Sequence, residues 1–229
     1  EVILLAETSD AGAGFELEEL PPLRVKGKSE PAIVFALTGE QQRLSYHLAA
    51  VTYAAPMVGR ERELVQVADA LLLATQGKGQ VISLVGEAGV GKSRLVAEVV
   101  QMASEHGFTL AGGECESYGI NSAYLVWQPI WLGLFGLEPG WSPARQLQVL
   151  TEKVRLTDPL LLPRLPLLAA LLRLEIPEND TTQSLDPRLR KSLLEAMVVD
   201  LLRAEAQRQP LLLVLEACQW LDPLSEELL

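Results

Sequence analysis

The chain has 229 residues, 48% of them hydrophobic and 21% charged, a composition that supplies a buried core and room for one large domain or a small one beside a medium one. Nineteen Lys and Arg against thirty Asp and Glu leave a net charge of −11, so the field of the whole chain repels nucleic acid and anionic membrane, and any phosphate must be gripped locally. The longest apolar run, Leu160 to Leu174, is broken by Pro163, Arg164, Pro166 and Arg173 and falls short of the roughly 20 clean apolar residues of a spanning helix; with no N-terminal signal pattern and only Cys115 and Cys218, a reducing cytoplasm is the expected setting and both thiols read as packed.

Residues 1–40 alternate short β-like runs with turn signals: Val2 to Ala6, Phe15 to Val25 interrupted by Pro21 and Pro22, and Ala32 to Leu37 after Lys26, Gly27 and Lys28. Such a piece is too small for a core of its own and reads as the tail of a larger domain. Residues 41–56 read as a linker. Glu1 to Leu5 opens inside an apolar element and Leu229 stops in a helical pattern, so the chain is expected to be a piece of a longer protein.

From Met57 the texture changes. Leu64, Val65, Ala68, Leu71 and Leu72 recur at helical spacing and predict a helix over Glu61 to Thr75. Val81 to Val85 reads as a buried strand, Val90 to His106 as a helix and Phe108 to Ala111 as another strand. Trp127, Trp131 and Phe135, four apart, share one helix face if Pro129 lies in the first turn, and core packing is their expected role. Arg145 to Leu156 and Arg188 to Arg208 predict amphipathic helices on either side of a Pro-rich Leu stretch, and Leu211 to Leu215 a third buried strand. Strand and helix in alternation argue for an α/β fold, a parallel sheet flanked by helices.

Gly86, Glu87, Ala88, Gly89, Val90, Gly91, Lys92 and Ser93 fill every fixed position of the phosphate-binding pattern G-x-x-x-x-G-K-[ST]. A chance match in a chain of this length has odds on the order of 1% at ordinary residue frequencies. The glycines let the backbone turn so that successive N–H groups point at phosphate oxygens. The following helix start adds partial positive charge, Lys92 a full charge near the β and γ phosphates, and Ser93 a hydroxyl for Mg2+. The expected ligand is Mg-ATP. Leu211 to Glu216, an apolar run ending in acid, fits the partner element, with Glu216 anchoring a water on the metal and serving as the candidate catalytic carboxylate. The next position, where a further carboxylate is often found, is Ala217. Asp222 before Pro223 reads as a helix N-cap rather than a third site acid.

Met57 to Glu63, the phosphate loop and Leu211 to Leu229 together resemble the NTPase module of AAA and STAND type in bacterial signalling proteins, over residues 57–229. That resemblance implies that Val58, Gly59 and Arg60 lie against the adenine, and Arg94 follows the loop into the helix. Relatives carry an acid pair where Glu216 and Ala217 stand here.

Residues 1–40 resemble the C-terminal end of a class III adenylate or guanylate cyclase domain through Phe15 to Glu18, Pro22 to Lys28 and Glu30 to Phe35. The resemblance implies a triphosphate contact for Lys26, for which a solvated turn is an equal alternative, and leaves the cyclase metal-binding residues outside this chain. A cyclase joined to such a module implies a regulatory ATP switch acting on an attached cyclase domain, with helical repeats downstream and without direct nucleic acid or membrane contact. An ATPase module of a transcription regulator is the alternative.

Overall fold

The computed structural model describes residues 3–5, 15–23 and 32–40, as backbone, and residues 57–229 apart from Pro139. The chain divides into two compact units, Glu1–Arg43 and Leu44–Leu229.

In the first unit β1 (Ile3–Leu5), β2 (Phe15–Leu23) and β3 (Ala32–Glu40) form a sheet in the order β1-β3-β2. Both pairings are antiparallel, with Leu4 and Glu19 opposite Phe35 from either side. The expected interruption at Pro21 and Pro22 is visible as a register shift between Leu20 and Leu23. Proline has no N–H to give to a ladder. Lys26 to Lys28, Glu30 and residues 41–56 lie outside the described residues.

The second unit begins with α1 (Glu61–Thr75), at the predicted bounds. Glu61 and Glu63 occupy its first turn, where negative charge meets the positive end of the helix dipole. Val67 and Leu71, one turn apart, are buried against Ala103 and Phe108. Ala103 belongs to α2 (Lys92–Glu105), which the phosphate loop opens.

Then come β4 (Thr109–Glu114), a 3-10 turn, α3 (Trp127–Phe135) and α4 (Pro143–Thr157). The Pro-rich stretch Pro159–Leu167 is a 3-10 segment, as expected where Pro163 and Pro166 each remove an α-helical hydrogen bond. It leads into α5 (Leu168–Leu172), α6 (Asp180–Gln183) and the long α7 (Pro187–Arg208). The chain closes with β5 (Leu211–Glu216), a short 3-10 turn and α8 (Pro223–Glu226).

β4 and β5 pair in parallel, in register from Thr109 opposite Leu211 to Glu114 opposite Glu216. The backbone at the start of α3 runs so close to β4 that a side chain at Gly113 would collide with the Val126 carbonyl. The main core lies behind this pair. Trp127, Ile130, Trp131 and Phe135 from α3 meet Leu150 and Val154 of α4, Leu168 and Leu171 of α5, and Met197 and Leu201 of α7. Trp131 and Phe135 stack with ring centroids 5.3 Å apart, so the aromatic spacing does report packing. Each such side chain contributes roughly 1.5–3 kcal/mol on burial.

Two expectations about the sheet need correction. Val81 to Val85, predicted as a buried strand, is irregular, and Val81 and Val85 are 99% and 92% exposed. A strand exists through its ladder partners, and among the described residues β4 and β5 pair with each other only; an apolar run signals burial tendency but carries no information on pairing. β5, predicted as buried, is half-buried along its length. In a two-stranded sheet each strand is an edge.

Candidate functional site

The loop from Gly86 to Val90 is irregular and exposed, and it hands over to α2 through Gly91. Gly91 has φ 89° and ψ 25°, and Gly89 has φ 80°. These are left-handed conformations that side chains resist. No side chain caps the N-terminus of α2, so its first-turn N–H groups remain suited to an anion. The amides of Glu87 and Ala88 belong to the same exposed turn.

Lys92 folds its ammonium back on to this loop, donating to the carbonyl oxygens of Gly86 at 2.9 Å and Glu87 at 2.8 Å. Ser93, next in α2, donates its hydroxyl hydrogen to Glu216 Oε2 at 3.0 Å. Glu216 is the last residue of β5. The carboxyl end of a parallel strand is where open α/β sheets place their ligands. The two predicted metal-binding side chains are thus adjacent.

The segment before α1 also reaches the loop. Arg60 donates through Nη2 to the Val90 carbonyl at 3.0 Å and through Nη1 to Glu63 Oε1 at 2.7 Å. Gly59, at φ 81°, gives its N–H to Glu61 Oε1 at 3.0 Å. The Arg60 guanidinium holds the Glu63 carboxyl below its ordinary value. Backbone N–H groups at Glu61 itself and at Gly59 do the same for Glu61. Val58 is 83% exposed beside this tether. Arg94 pairs along its own helix with Glu98 at 2.5 Å.

Past Glu216 the chain turns sharply. Ala217 has φ 54°, unusual for a residue with a Cβ. Asp222 is 4% exposed and accepts from the N–H of Ser225 at 3.0 Å and of Tyr124 at 3.3 Å. It is the N-cap of α8, as its position before Pro223 suggested, and in addition it ties α8 to the chain before α3. Trp127 Nε1 strengthens that link by donating to the Ser225 carbonyl at 3.1 Å.

Three features of the site were not read from the sequence. The Arg60 contact to Val90 joins residues thirty apart, and no local pattern signals it. Glu114 stands opposite Glu216 at the same sheet end; the parallel register that pairs them needs the fold. Cys115 lies beside Cys218, and burial, with Cys218, Asp222 and Glu114 nearby, pushes the Cys115 thiol up to about 12.

No group of three or more His, Cys, Asp or Glu among the described residues could hold a metal ion. Mg2+ commonly takes one or two protein ligands and completes its shell with water and phosphate oxygens, and Ser93 with Glu216 fits that pattern. No helix of the described residues is long and apolar enough to cross a membrane.

A family model for the AAA ATPase domain matches residues 56–229. An uncharacterized protein of Rhizobium meliloti (strain 1021) is 24% identical over 207 residues, covering 90% of this chain and 20% of that protein. The chain therefore spans about a fifth of the length of this relative. No solved structure matches the chain.

Proposed function

The chain belongs to the AAA ATPase domain family, and on that footing we propose that residues 57–229 bind Mg-ATP from Gly86 to Ser93 as a slow-turnover regulatory switch. The observation that carries this reading is the 3.0 Å contact between Ser93 and Glu216. A hydroxyl at a helix start and a carboxylate at a strand end, far apart in sequence, meet, and this supports a shared role for them in holding Mg2+.

Nucleotide binding then follows from the residues in turn. The amides from Glu87 to Gly91 and the first turn of α2 take the phosphate oxygens. Lys92 leaves the carbonyls of Gly86 and Glu87 for the β and γ phosphates, exchanging neutral acceptors for charged ones. Ser93 and Glu216 would hold Mg2+, which would supply positive charge against the phosphates. Arg60, fastened to Val90 and Glu63, positions Val58 and Gly59 against the base. Arg94, committed to Glu98, supports the first turn of α2.

Hydrolysis needs a group that orients and polarises water. Glu216 is the candidate, and Ala217 offers no second carboxylate. Slow turnover makes the bound nucleotide a state that other parts of the protein can read. The cyclase-like motifs in residues 1–40 support the further proposal that an attached cyclase domain is the reader, in a cytoplasmic signalling protein with helical repeats downstream of a linker at 41–56. Steady phosphate release is the test. Turnover below the ordinary enzyme range of about 1 per second is expected, rising in Ala217→Asp. Rapid release by the unmodified chain, unaffected by Glu216→Gln, would overturn it.

A further inference from the structure

Val90 sits in the phosphate loop between two glycines with left-handed backbones, Gly89 at φ 80° and Gly91 at φ 89°. Its side chain rests on the start of the loop, so close that a Cβ at Gly86 would stand 3.0 Å from Val90 Cγ2. Its carbonyl accepts from Arg60 Nη2 at 3.0 Å. The other arm of that guanidinium is held by Glu63 Oε1 at 2.7 Å. Arg60 is the N-cap of α1, and α1 is in turn fixed to α2 where Val67 and Leu71 pack with Ala103. The helix that carries Lys92 and the residue that grips the loop before it thus belong to one packed pair.

The peptide bond between Val90 and Gly91 is trans and planar, so its C=O and N–H point opposite ways. Gly91 accepts negative φ about as readily as positive, which leaves this peptide free to flip unless something holds it. We infer that Arg60 is a positioning residue for the phosphate loop: its grip on the Val90 carbonyl fixes the Gly91 N–H in the direction that a phosphate oxygen needs. The inference rests on the Mg-ATP reading of the loop and adds to the tether a role that does not involve the base.

A flipped Val90–Gly91 peptide presents a carbonyl oxygen where the N–H was, and that oxygen repels phosphate. Only the unflipped fraction of the protein is then competent. Every ligand gripped through its phosphates loses affinity by that same fraction, with or without a base.

Calorimetric titration of ATP and of inorganic tripolyphosphate, both with Mg2+, into the unmodified chain, Arg60→Ala and Arg62→Ala tests this. Arg62 is exposed, also in the first turn of α1, and its removal takes away the same charge without the grip on Val90. Arg60→Ala should lower tripolyphosphate affinity roughly three- to tenfold, the scale of one hydrogen bond from a charged donor, and ATP affinity by at least as much, with the urea midpoint little changed. Arg60→Lys, which keeps a charged donor, should recover part of the loss. Arg62→Ala should bind both ligands nearly as the unmodified chain does. Loss of ATP affinity alone in Arg60→Ala would confine Arg60 to the base segment and overturn the inference. Equal losses in the two alanine variants would reduce its effect to net charge and overturn it as well. No binding of either ligand to the unmodified chain would overturn the Mg-ATP reading together with it.

Discussion

Ser93 Oγ donates to Glu216 Oε2 at 3.0 Å, joining the first turn of α2 to the last residue of β5 across 123 positions of sequence. On the proposed role of this pair in holding Mg2+, its contribution to nucleotide binding should depend on the metal. Ser93→Ala should weaken Mg-ATP binding roughly tenfold, about 1.4 kcal/mol, and leave ATP binding in excess chelator nearly unchanged. Calorimetric titrations with and without Mg2+ check this; equal losses in both would count against a metal role.

Ala217 pays for a left-handed backbone at φ 54°. Glycine adopts that conformation freely, so Ala217→Gly should raise stability by about 1 kcal/mol in urea unfolding. Aspartate tolerates the same region better than most residues, so Ala217→Asp should fold, and phosphate release then reports what a second carboxylate adds.

Asp222 is a structural acid. Removing its two acceptor bonds to the N–H groups of Ser225 and Tyr124 leaves buried donors unpaired, and Asp222→Ala should cost about 1–3 kcal/mol in unfolding free energy. Nucleotide affinity of the folded variant should be unchanged. A selective loss of Mg-ATP binding at full stability would move Asp222 into the site.

Glu63 carries a pH signature of the tether to the phosphate loop. The Arg60 guanidinium holds its carboxyl below the ordinary value of 4.5. A depressed folded value means that this ion pair's contribution is complete above 4.5 and is lost as pH falls through the folded value. An NMR titration of the Glu63 carboxyl should show a midpoint below 4.5 that moves up in Arg60→Ala. An unchanged midpoint in that variant would separate Arg60 from Glu63.

What was legible in the sequence is what is local. Helical spacing gave α1 its bounds, the four-residue aromatic repeat placed Trp127, Trp131 and Phe135 in the core, and two of the three loop glycines, Gly89 and Gly91, take the left-handed backbone expected of them. The candidate site was legible as two motifs because phosphate chemistry constrains residue type at each position. Their meeting at Ser93 and Glu216 was inferred from chemistry and has its geometry from the fold. Val81 to Val85 was misread because apolar character does not specify a ladder partner. The tie from Arg60 to Val90 joins residues that only the folded chain brings together.

Gly86 to Ser93 is the proposed cradle for the triphosphate of Mg-ATP, and Lys92 is the single full positive charge within that motif. Calorimetric titration of Mg-ATP into Lys92→Ala, beside the unmodified chain, tests it most directly. Binding to the unmodified chain and at least a tenfold loss in the variant are expected, about 1.4 kcal/mol or more for a charge-assisted contact to phosphate, with the urea midpoint unmoved. Equal affinity in the two proteins, or no binding to either, would contradict it.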